Sequence, residues 1–343
     1  MAAVQSRMEQ EIADAPLAVG RQEQELAGPL ADLAGRLARL APRVIVTCAR
    51  GSSAHAATFG KHLIERYMRI PVAAAAPNIA TVYGQQLRLK DQVFLAISQS
   101  GMSDDLVEAA RAAKASGALT VCIVNAVASP LAAACDIVLP MGAGAELSVA
   151  ATKTFIASLA ALLRLAARWT QDAVMQNALA RLPDRLAAAA RLDWAGALGA
   201  LAGATSLVTI GRGPTLAVAR EAALKLKENC NLHAEAFSGA EFVHGPVALV
   251  ESDYPILLFM PTDAAAAGMR QLAATLRHKG AALFAAEPGE ATPWRLAALA
   301  PDHPETDAVC LIQTFYGMAY RLAARVGTDV DRPRHLQKVT RTR

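Results

Sequence analysis

Apolar positions recur at intervals of three and four through the first forty residues. Leu26, Leu30, Leu33, Leu37 and Leu40 fall on one stripe, and Pro42 ends it, which predicts a helix over 6–40. The period then changes. The short apolar run Val44-Ile45-Val46-Thr47-Cys48 breaks at Arg50-Gly51-Ser52-Ser53 into a helical stretch over 54–67. Further strand-like runs follow at 70–74, 93–97, 119–124 and 137–140. Asn78 is expected to cap a short helix, and a long helix over 152–170 closes this half. Short apolar runs alternating with helices predict a parallel sheet covered on both faces.

A second helical stretch, 171–192, is interrupted at Pro183 and reads as a connector. The alternation then restarts. Leu207-Val208-Thr209-Ile210 runs into Gly211-Arg212-Gly213 and a helix over 216–228. The run 255–260 ends in Pro261-Thr262 and leads to a helix over 264–279. Strands are expected at 282–286 and at 308–312, and a last helix runs to about Arg325. The chain therefore reads as an internal duplication. The fold class is α/β: two domains, each a doubly wound parallel sheet flanked by helices. The expected segments are an N-terminal helical segment over 1–40, a first domain over 41–170 and a connector over 171–192. A second domain over 193–326 and a tail over 327–343 complete the chain. The second copy ends its strands in Gly213-Pro214 and Pro261-Thr262, and only the first keeps a hydroxyl-rich cradle, at Ser52, Ser53, Ser98 and Ser100, so one phosphate site per chain is expected.

Composition narrows the function classes. The 343 residues are 54% hydrophobic and 19% charged, enough for two large cores, and the net charge of +4 is too small to argue for nucleic acid. The uncharged run 115–135 is broken by Gly117, Asn125, Ser129 and Pro130, so no membrane span is expected. The acidic N-terminal segment does not read as a signal peptide, and a cytoplasmic protein is expected. Five cysteines form no C-x-x-C pair, and seven histidines show no H-x-x-x-H spacing. Neither a metal nor a cofactor is expected.

The candidate chemistry begins at Leu95–Asp105. A buried strand breaks into Ser98-Gln99-Ser100-Gly101, and a helix starts at Ser103. Hydroxyls, an amide and free N–H groups at the positive end of a helix suit an anion, above all phosphate. The plainer alternative is an N-cap by Ser103. In the second half, Glu221, Lys225 and Glu228 share one helical face, either as a solvated ladder or as a functional group. His233, Glu235, Glu241 and His244 then follow in what reads as a Gly-containing loop. The ending Gly327–Lys338 is either a disordered basic tail or, given Pro333 and the Asp residues beside Arg, a specifically paired one.

These residues carry a family resemblance. The turns Gly51-Ser52-Ser53 and Ser98-Gln99-Ser100-Gly101 resemble those of the isomerase half of glucosamine-6-phosphate synthase, a tandem of two sugar isomerase (SIS) domains. So do the run Lys225-Leu226-Lys227-Glu228, His233-Ala234-Glu235, Glu241 with His244-Gly245-Pro246, and the ending from Gly327 through Arg334 to Lys338. The synthase adds a glutaminase domain with a nucleophilic Cys after the initiator Met. Ala2 stands here, so no glutamine hydrolysis by this chain is expected. Arg50 with His55, Tyr83-Gly84, and Ser103 with Asp105-Leu106 resemble the shorter glucosamine-6-phosphate deaminases.

The resemblance implies a homodimer acting on a small phosphosugar, with no nucleic-acid or membrane partner. It implies phosphate binding by Ser52, Ser53, Ser98, Gln99, Ser100 and Ser103. Glu228 becomes the base moving a proton between C2 and C1. His244 opens the sugar ring, in the neighbouring subunit's site. Lys225 lies near the reacting carbons, Val149 and Lys338 flank the sugar, and Arg334 holds the tail. The implied reaction is deamination of glucosamine 6-phosphate to fructose 6-phosphate and ammonia. An ammonia-dependent synthase or another phosphosugar isomerase is the alternative, and a non-catalytic phosphosugar sensor is the third reading. Four positions depart from the synthase: Arg50 replaces a Cys, Met102 a Glu, Ser103 a Thr and Ala151 a Ser.

Overall fold

Each of two parallel sheets winds in the same order. A computed structural model describes residues 5–289 and 292–338. In the first sheet, β1 (Ile45–Ala49), β2 (Val72–Ala74), β3 (Val93–Ser98), β4 (Leu119–Val124) and β5 (Ile137–Pro140) lie in the order β2-β1-β3-β4-β5. Every residue of β3 is buried, because helices cover both faces of an all-parallel sheet. Ile45 pairs with Val93 and Ala49 with Ile97, so β1 and β3 end level. In the second sheet, β6 (Ser206–Gly211), β7 (His233–Ser238), β8 (Pro255–Phe259), β9 (Ala282–Glu287) and β10 (Arg295–Ala297) lie in the order β10-β9-β8-β6-β7. Read from β7, this is the winding of the first sheet, as the duplicated pattern predicts.

The main helices are α1 (Arg7–Leu40), α2 (Gly51–Leu63), α3 (Asp104–Ala115), α4 (Lys153–Thr170), α5 (Ala173–Ala189), α6 (Thr215–Cys230), α7 (Ala266–His278) and α8 (Pro304–Arg325). The described residues group into two compact units. One lies within Leu17–Glu146, Lys153–Leu179 and Gln337–Arg343 and holds the first sheet. The other lies within Met1–Pro16, Leu147–Thr152 and Ala180–Leu336 and holds the second. Residues 339–343 of the expected tail lie outside the described residues.

In the first unit, Phe94, Ala96 and Cys122 pack against Leu106, Ala110 and Leu131. In the second, Val208, Ile256 and Leu258 pack against Phe242, Met269 and Leu276. All five cysteines are buried: Cys48, Cys122 and Cys135 with the first sheet, Cys230 and Cys310 with the second. Burial pushes the Cys48 and Cys230 thiols up to about 12. Among the described residues no helix is long and apolar enough to cross a membrane.

Four local expectations are corrected. Residues 308–312 are not a strand but the middle of α8, which is buried over most of its circumference. A short apolar run does not distinguish a buried helix from a strand. Helix α5 continues through Pro183 rather than breaking there. Asn78 is the first residue of its short helix, behind Pro77, and makes no capping bond. The stretch expected as a loop around His233 and Glu235 is strand β7, parallel to β6.

Candidate functional site

In the unit holding the first sheet, the order β2-β1-β3 reverses direction between β1 and β3. Such a switch point opens a crevice at the carboxyl ends of the strands, where ligands of doubly wound sheets bind. Both Ser-bearing turns leave the sheet there. Helix α2 starts directly at Gly51, so Ser52 and Ser53 stand in its first turn, where backbone N–H groups lack helical partners. After β3, the Ser98 hydroxyl accepts from the Gly101 N–H at 3.0 Å and the Ser100 hydroxyl from the Met102 N–H at 3.3 Å. Gly101 has φ +64°, and a Cβ there would sit 2.1 Å from Ser129 Oγ. Only glycine fits this close, left-handed position. Ser103 occupies the N-cap of α3 but makes no side-chain capping bond, so the plain cap does not account for its hydroxyl.

Two carboxylates, Asp104 and Asp105, begin α3. Arg50 offsets one of them. Its Nε and Nη2 both contact Asp105 Oδ2, at 3.0 and 2.8 Å, and Asp105 is fully buried while Arg50 stays half exposed. Arg50 thus pairs with a carboxylate at the start of α3. The pair ties the turn after β1 to the start of the helix after β3.

In the second unit, α6 presents the chemistry on one face. Lys225 and Glu221 are completely buried, and Glu228 is 21% exposed. This is no solvated ladder. Lys225 Nζ lies 3.3 Å from Glu221 Oε1 and bonds Glu228 Oε2, and Tyr316 Oη donates to Glu221 at 3.3 Å. Burial alone would lower the Lys225 pKa, but the Glu221 and Glu228 carboxylates outweigh it and hold the ammonium above its ordinary value. Glu228 is therefore a carboxylate fixed by an enclosed cation and open on its other side. Such a group can take a proton from a carbon acid set against it.

The remaining candidates lie on other segments. Val149 is half-buried in the 147–152 loop, and His244 is exposed in a turn whose N–H bonds the Glu241 carbonyl at 3.0 Å. Arg334 is exposed. Lys338 Nζ lies 3.2 Å from Glu146 Oε2 in the first unit. Glu146 is buried and also accepts from the Thr154 N–H and hydroxyl, at 3.1 and 2.7 Å. Nothing local in the sequence marks Glu146, a carboxylate whose cation lies 192 residues away.

The second sheet has its own switch point, between β6 and β8, and fills it. Thr215 Oγ1 accepts from the Arg212 N–H at 3.0 Å and donates to the Phe259 carbonyl at 2.8 Å. Among the described residues, the Ser-bearing turns Ser52-Ser53 and Ser98–Ser103 belong to the first sheet.

Two segments of the chain match one family. The SIS domain family pattern matches residues 41–168 and 200–286, which take in β1–β5 and β6–β9. A glutamine–fructose-6-phosphate aminotransferase (isomerizing) from Zymomonas mobilis is 33% identical over 96% of this chain and 58% of its own length. The chain thus spans little more than half of that relative. A crystal structure from Silicibacter pomeroyi DSS-3, provisionally named a phosphosugar isomerase, is 44% identical. It superposes with a TM-score of 0.90 over 95% of this chain and all of its own. The C-terminal domain of glucosamine-fructose-6-phosphate aminotransferase from Francisella tularensis is 26% identical with a TM-score of 0.84, over 96% of this chain and 99% of that one. With both sheets matched and the winding repeated, the chain belongs to the SIS domain family.

Proposed function

We propose that this chain is a glucosamine-6-phosphate deaminase. The phosphate is held by the Ser98–Ser103 turn with Gln99, together with Ser52 and Ser53. His244 assists ring opening, acting in a homodimer from the neighbouring subunit. In the open-chain aldehyde the C2 proton is acidic, and Glu228 removes it to give an enolamine. The same carboxylate returns the proton to C1. The resulting C2 imine is hydrolysed by water to fructose 6-phosphate and ammonia. Lys225 orients the Glu228 carboxylate through its bond to Oε2. Val149 and Lys338 flank the sugar, and Arg334 holds the tail.

The observation that carries the deaminase reading is the Arg50–Asp105 pair. Both residues belong to the motifs that resemble the shorter deaminases, and here the half-exposed Arg50 pairs with the buried Asp105 beside the Ser-bearing turns. A second reading, amination of fructose 6-phosphate by free ammonia, is favoured by the name of the Zymomonas relative. It uses the same residues in reverse. The test is release of ammonia and fructose 6-phosphate from purified protein given glucosamine 6-phosphate. The N-acetylated sugar, and fructose 6-phosphate with ammonia, are run in parallel. Release from the free amino sugar is expected. Reaction only in the synthetic direction would replace the deaminase with the second reading. Phosphosugar binding without reaction in either direction would favour a sensor.

A further inference from the structure

The first turns of α1 carry contacts that no role above uses. Asp331, in the C-terminal segment, accepts from the N–H groups of Arg7 and Met8 at 3.0 and 3.3 Å. These are donors that a helix start leaves unpaired, and a carboxylate there also meets the positive end of the helix. One turn further, the buried Glu11 carboxylate takes the N–H groups of Leu147 and Ser148 and the Ser148 hydroxyl. The Ser148 N–H lies 3.2 and 3.3 Å from its two oxygens. The next residue is Val149. On the same turns, the Ile12 carbonyl accepts from Gln313 Nε2 at 2.9 Å. Met8 Sδ lies 3.5 Å from Asn229 Nδ2, one residue beyond Glu228.

A carboxylate is an expensive group to bury, and an apolar side chain would pack the same space at lower cost. What it adds at Glu11 is a rigid acceptor for two consecutive backbone N–H groups. We propose that the start of α1 is a positioning strut. Glu11 fixes the backbone leading to Val149, and Asp331 docks the segment leading to Arg334 on the same helix end. The proposal deepens the functional reading, since it rests on Val149 and the tail serving the site.

The test uses the full chain with Glu11→Ala, Glu11→Gln, Ser148→Ala and Asp331→Asn. Three quantities are read: amide exchange at residues 147–148, tryptic cleavage at Arg334, and kinetics on glucosamine 6-phosphate beside calorimetric binding of fructose 6-phosphate. Glu11→Ala and Ser148→Ala are expected to speed exchange at 147–148. They are also expected to lower kcat about tenfold or more, with fructose 6-phosphate affinity within about threefold of wild type. Glu11→Gln, which keeps an acceptor, is expected to restore most of the rate. Asp331→Asn is expected to speed cleavage at Arg334 about tenfold. Exchange and cleavage at wild-type rates would overturn the strut, as would an unchanged kcat in a chain whose 147–148 amides had become labile. A wild-type chain inactive on the amino sugar would sink the deaminase reading alone, because exchange and cleavage still decide the strut. Should Glu11→Ala not fold, Ser148→Ala and Asp331→Asn carry the same decision.

Discussion

Lys225 is an ammonium shut away from water, and two carboxylates are what make that tolerable. Its removal takes from the buried Glu221 carboxylate the ammonium 3.3 Å away. Lys225→Met is therefore expected to cost about 3–5 kcal/mol of stability, read as a drop in the urea midpoint. Adding Glu221→Gln should recover part of that loss; no recovery would mean that the two charges are not coupled. The Lys225 pKa is raised in the folded chain. Its contribution is thus complete below the ordinary lysine range and is lost only as the pH rises through the higher folded value. Asp136 runs the other way. Burial pushes its carboxyl up, but Lys114 at 2.8 Å and the Thr120 N–H and hydroxyl at 3.0 and 2.7 Å bring it below the usual value. Its contribution is present above the unfolded value of about 3.9 and is lost as the pH falls through the lower folded one. Asp136→Asn should therefore flatten the acid limb of the stability curve. Urea midpoints between about pH 2 and pH 6 for both chains check this.

A turn behaves as a unit, and the one after β3 is built around Gly101. Gly101→Ala forces a Cβ into Ser129 and holds a non-glycine residue at positive φ. A cost of about 1–3 kcal/mol and weaker fructose 6-phosphate binding are expected, read by thermal melting and calorimetry. Normal affinity would remove this turn from the phosphate site. The turn was legible in the sequence because strand, break and helix start are all local. Strand β7 was not, because its outward positions are His233 and Glu235, and polar residues on an edge strand look like a loop. The alternation His-Ala-Glu-Ala was the available signal. Glu11 was illegible for a different reason: its partner Ser148 lies 137 residues away, and only the folded chain shows which carboxylates have been enclosed.

For the whole molecule, duplication kept the winding and let the two crevices diverge. One retains hydroxyls, and the other is occupied by Thr215 and its bond to Phe259. Calorimetry with fructose 6-phosphate is expected to give one equivalent per chain, abolished or strongly weakened by Ser98→Ala and unaffected by Thr262→Ala. Two equivalents would show that the second crevice binds as well. The buried cysteines have a further use. Each unit encloses its own thiols, and a water-borne alkylating reagent meets them only when that unit opens. Labelling of Cys48, Cys122 and Cys135 times the opening of one unit, and labelling of Cys230 and Cys310 times the other. The unaltered chain thus carries a clock in each unit, and mass spectrometry of its peptides tells which unit breathes first.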